Sequence, residues 1–133
     1  MLIAGKLLAG LSVALIFLAY SNFAPTALSS DLIADYVKNH FMREIIFGLF
    51  LATVTIVLII RANARNAVPQ ILVGGSVVIL PFWIAFLFGW TTGGMADVWG
   101  DSIDANAAYM LHGTQMVGFY LGLALMWMGL SKP

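Results

Sequence analysis

Four long apolar runs, at roughly 2–20, 44–60, 70–90 and 107–130, leave few folds open to this chain. Each is long enough to cross a hydrocarbon core of ~30 Å as an α-helix. The chain is 62% hydrophobic and only 9% charged, against ~25% charged residues in an average soluble domain. In water such a surface would be one large adhesive patch, whereas a bilayer tolerates it. Lipid cannot hydrogen-bond a backbone, so spanning segments satisfy their own polar groups as helices. The sequence therefore predicts an all-α membrane protein. The expected architecture is an antiparallel four-helix transmembrane bundle forming a single domain over residues 1–133.

The fourth run, YMLHGTQMVGFYLGLALMWMGL at 109–130, is apolar yet carries His112, Thr114 and Gln115. Advancing about 100° per residue gathers Thr114, Gly118, Gly122 and Gly129 into one seam, with Gln115 and His112 on its flank. Val117, Tyr120, Leu121, Ala124 and Met128 take the opposite side. Small residues let membrane helices approach closely, so Thr114, Gln115, Gly118 and Gly122 are expected to pack against another helix. Gly48, Ala52 and Thr55 supply a second small stripe on the second run.

The first run has a charge at Lys6 and small residues following its apolar centre, as a secretory leader would. Its apolar part is long for a leader, and Gly5, Ala9, Ser12 and Ala19 recur at helical spacing. It is therefore expected to be helix one. In the connection 21–42, Ser30 or Asp31 could cap a helix in which Leu32, Ile33, Tyr36, Val37, His40 and Phe41 share a face. That pattern predicts an extra amphipathic interfacial helix between helices one and two. No glycine or proline separates it from Glu44, so a continuous run into helix two is the alternative. The polar segment 61–69 is a tight turn between antiparallel neighbours, with Pro69 suited to a first helical turn. Pro81 should bend the third helix.

Lysine and arginine set the orientation. Lys6, Arg61, Arg65 and Lys132 fall on one side of a four-span layout, and Lys38 and Arg43 on the other. Both termini are thus expected in the cytoplasm, in a bacterial cytoplasmic (inner) membrane. All six acidic residues then lie on or near the outer side, where Tyr20, Trp90, Trp99 and Tyr109 would form an aromatic belt.

The formal net charge is zero, which offers nothing to nucleic acid. Without cysteine there is no disulfide, thiol nucleophile or thiolate metal site. His112 is the one histidine inside a predicted span. A neutral imidazole there could ligate the iron of haem or the magnesium of a chlorin, or handle protons near neutral pH. The commoner role is a hydrogen bond to Gln115, one helical turn away, or to a neighbouring helix. Asp97, Asp101, Asp104 and Asn106 do not follow the spacing of a calcium loop. No carboxylate, lysine or arginine lies in the middle of a run, where proton-coupled transport would need one. No catalytic or metal-binding constellation is found, so the chain is not expected to be an enzyme.

The layout of a capped outer segment, REIIFGLFLA at 43–52, a short arginine turn and two further spans resembles small uncharacterised four-helix bacterial membrane proteins. The resemblance implies a fold and no activity. The leading expectation is an accessory or assembly subunit of a larger membrane complex, with the lipid bilayer and other membrane subunits, or itself, as partners. The alternatives are a haem- or chlorin-binding protein using His112 and a small-solute transporter or channel.

Overall fold

The computed structural model describes residues 1–31, 34–92 and 105–131. Within them lie four α-helices and no strand: α1 Leu2–Ser29, α2 Asp35–Arg61, α3 Val68–Thr92 and α4 Ala105–Gly129. A short 3-10 turn, Arg65–Ala67, leads into α3. Over Leu2–Ser21 and Asp35–Arg61 two of these helices are long and apolar enough to cross a membrane by length and composition.

The expected separate interfacial helix is not found among the described residues. Residues 21–29 complete α1, and 35–42 are the first two turns of α2. Pro25 forfeits one backbone donor and the helix continues past it. Nothing between Asp35 and Glu44 interrupts the ladder, and Asp35 favours the helix start. Pairs spaced for one face support these turns: His40 Nε2 lies 2.8 Å from Glu44 Oε1, and Lys38 Nζ lies 3.7 Å from Asp35. At ~1.5 Å per residue α1 and α2 each measure about 40 Å, which exceeds a ~30 Å hydrocarbon core.

Glycines set how closely the helices pack. A Cβ on Gly5 would stand 2.6 Å from the Met126 nitrogen, and one on Gly122 would stand 2.5 Å from the Ala9 nitrogen. Gly118 faces Ser12, and Gly129 faces Leu2. The paired numbers run in opposite directions, so α1 and α4 are antiparallel with their backbones nearly touching. Tyr20 lies across Gly48 and Gly10 faces Ile59, which makes α2 antiparallel to α1 as well. On α3, Gly74 receives Thr55 of α2, and Gly75 receives the Phe119 ring of α4. Ser76 and Tyr120 share a hydroxyl hydrogen bond at 3.0 Å.

Ala9, Val13 and Ile16 of α1, Ala52 and Ile59 of α2, Ile71 and Ile79 of α3, and Phe119 and Met126 of α4 form the core. Large apolar side chains also cover the outside: Leu7 and Leu11 on α1, Ile46 and Phe50 on α2, Val73 and Val77 on α3, Val117 and Leu121 on α4. Tyr20, expected in an outer aromatic belt, is instead buried at 7% exposure because Gly48 opens a slot for its ring. Trp99 and the side chains of Trp90 and Tyr109 lie outside what is described.

Candidate functional site

The polar residues of α4 meet α1 where the two backbones are closest. Gly118 beside Ser12 and Gly122 beside Ala9 remove the side chains that would hold the helices apart. Through that opening Gln115 Nε2 donates to the backbone carbonyl of Ser12 at 2.9 Å. Gln115 is 1% exposed and His112 5%. Once the amide nitrogen is committed to α1, the amide oxygen turns toward His112, whose Nδ1 lies 3.4 Å away. A carboxamide oxygen only accepts, so in this contact Nδ1 carries the ring proton and Nε2 keeps its lone pair. The result is a buried polar run from imidazole to amide to main-chain carbonyl.

The packing residues named from sequence divide into two groups. Gly118, Gly122 and Gln115 lie in the α1–α4 contact, and Ala52 is fully buried on α2. Gly48 makes room for Tyr20. Thr114, however, is exposed. The buried arc of α4 is centred on Gln115, Phe119, Gly122 and Met126, because Phe119 packs on α3 while the glycines pack on α1. Thr114 falls just past its edge. Tyr120, expected on the face opposite the seam, is half-buried for the same reason and reaches Ser76. Thr55 is buried and donates to the Leu51 carbonyl at 2.8 Å.

At the far end of the helices, two basic side chains hold helix C-termini, where orphan carbonyls carry negative charge. Lys6 of α1 donates to the Ile60 carbonyl of α2 at 2.7 Å. Arg65 Nε donates to the carbonyls of Trp127 at 2.8 Å and Leu130 at 3.1 Å. Its guanidinium also sits 5.4 Å from the centre of the Trp127 ring, within cation–π range. The Arg65 backbone nitrogen donates to Ser131 at 3.1 Å, and Ser131 Oγ donates to Asn63 at 3.2 Å. Sequence reasoning used these cations only for orientation and missed their capping. The partners of Arg65 lie more than sixty positions away, so no local spacing announces them.

Among the described residues no three histidine, aspartate or glutamate side chains gather as metal ligands. His40 stands on exposed α2, bonded to Glu44. Asp97, Asp101, Asp104 and the side chain of Asn106 lie outside the described residues. Compared with family models, with curated proteins and with solved structures, the chain finds no match in any of the three.

Proposed function

We propose that this chain is an antiparallel four-helix integral membrane protein acting as a non-catalytic accessory or assembly subunit. Its surface and interior support the membrane part. Exposed apolar side chains recur one turn apart, as Leu7 and Leu11, Ile46 and Phe50, Val73 and Val77, Val117 and Leu121. Lipid is the medium in which four such faces are stable at once. Lys6, Arg61 and Arg65 gather at one end, which by the positive-inside rule supports a cytoplasmic side for that end.

The observation that carries the accessory role is how the inward polar groups are used. Gln115 is bonded to Ser12, His112 to Gln115, Ser76 to Tyr120 and Thr55 to Leu51. Among the described residues no buried side-chain nitrogen or oxygen is left without a partner. Groups that could do chemistry are already bonded, two of them across helix pairs, Gln115 to Ser12 and Ser76 to Tyr120, and two within their own helix. The glycine-tight α1–α4 seam also favours this role over a solute path along His112 and Gln115. Purification from native membranes in mild detergent tests it: a partner protein should copurify in fixed ratio. Recovery of this chain alone under every mild condition contradicts the proposal.

A second reading, His112 as a ligand to haem or a chlorin, has one observation in its favour. A carbonyl-type acceptor at Nδ1 orients the ring as a supporting residue does for metal-bound histidines. The visible spectrum of protein from its native membrane decides it, because a colourless preparation ends this reading.

A further inference from the structure

We propose that the rim formed by Lys6, Arg61 and Arg65 binds the headgroup phosphate of an anionic phospholipid in the leaflet on that side. This inference rests on the membrane reading above. Three different elements bring the cations to one end: α1 carries Lys6, α2 carries Arg61 and the α2–α3 connection carries Arg65. Among the described residues no carboxylate lies at that end, since Asp31, Asp35 and Glu44 are all at the other. There Asp31, Asp35 and Glu44 stand against Lys38 and Arg43, with Lys38 near Asp35 and His40 on Glu44. The rim of Lys6, Arg61 and Arg65 is therefore the uncompensated one.

Its geometry suits a lipid better than a diffuse counterion. Lys6 and Arg65 are held in place by main-chain carbonyls, so their position is fixed before any ligand arrives. A lysine ammonium has three donors and an arginine five; each spends only part of them on those carbonyls, leaving N–H groups for phosphate oxygens. Arg61 is exposed. Below the charges the surface turns apolar at once: Leu7 and Ile60 are exposed beside Lys6, and Trp127 lies under Arg65. Phosphate above and acyl chain below is the order of groups in a phospholipid. A tryptophan at that level fits the headgroup zone.

Native mass spectrometry of the detergent-purified protein, given equal phosphatidylglycerol and phosphatidylcholine, tests the proposal. The wild type should retain phosphatidylglycerol roughly tenfold or more over phosphatidylcholine. Arg61→Gln removes no capping contact and should lower that preference about fivefold, with the melting temperature unchanged. Lys38→Gln, at the opposite end, should leave the preference intact. Equal retention of the two lipids overturns the proposal, as does an equal loss in Lys38→Gln or no loss in Arg61→Gln. Displacement of the lipid by glycerol phosphate at matched concentration overturns it too, since the rim would then be a site for free phosphate. The membrane reading fails differently, through a protein that stays monomeric in buffer without detergent.

Discussion

Gln115 of α4 reaches the main-chain carbonyl of Ser12 in α1, 2.9 Å away, and this bond fixes both the register of the two helices and the orientation of His112. Hydrogen bonds between membrane helices contribute about 0.6 kcal/mol on average. Gln115→Leu should therefore destabilise the fold by roughly 0.5–1 kcal/mol, a small downward shift of the melting temperature in detergent. The larger effect should be on the imidazole. With its amide acceptor gone, the nitrogen-15 spectrum of His112 should change from a single Nδ1–H form to a tautomer mixture. An unchanged spectrum would mean that Gln115 does not hold the ring.

The α1–α4 seam depends on missing side chains, and two glycines give opposite expectations. At Gly122 a Cβ would lie 2.5 Å from the Ala9 backbone nitrogen, and backbone cannot rotate away. At Gly10 the nearest atom would be a methyl of Ile59 at 3.9 Å, an ordinary contact. Gly122→Ala should sharply reduce folded yield, whereas Gly10→Ala should be neutral or slightly stabilising by favouring the helix by up to ~1 kcal/mol. Size-exclusion profiles and melting curves of the pair check this.

Phe119 fills the space that Gly75 leaves on α3. An alanine at Gly75 would overlap the ring, and overpacking of this kind costs roughly 1–3 kcal/mol. Phe119→Leu should recover part of that loss in the double variant while being destabilising alone. A double-mutant cycle with no coupling would show that the two residues are not in contact.

Arg65 does two things at the end of α4, bonding carbonyls through Nε and lying over Trp127. Arg65→Lys keeps the charge but loses the planar fork and much of the stacking. It should destabilise by about 1 kcal/mol and speed hydrogen exchange at Leu130, whose amide donates to Met126. Exchange equal to wild type would argue that the charge alone secures this end.

Helix content was legible in the sequence because the apolar runs, the polar turn at 61–69 and the absence of breakers in 35–44 are all local signals. Gly118, Gly122 and Gln115 were legible as contact residues for the same reason, since helical spacing alone puts them together. What spacing cannot give is how far each helix is rotated, because neighbours decide that. Phe119 packing into Gly75 turns α4 so that Thr114 leaves the contact and Tyr120 enters it. Tyr20 is aromatic at the end of an apolar run, as a belt residue would be, and only the neighbour Gly48 on α2 turns it inward. An amphipathic pattern does not say whether a segment lies flat or extends its neighbour, and residues 35–42 extend α2, the continuous run that the absence of a breaker before Glu44 allows.

Spin labels at single introduced cysteines along α4 report whether its exposed face meets lipid or water, and the chain has no native cysteine to interfere. In liposomes, labels at Val117, Leu121 and Ala124 should be open to oxygen, which concentrates in lipid, and closed to a water-soluble nickel chelate. Labels at Leu123 and Met126 should be closed to both, as buried positions are. Free access of the nickel chelate to Val117, Leu121 and Ala124 would place that face in water and contradict the account.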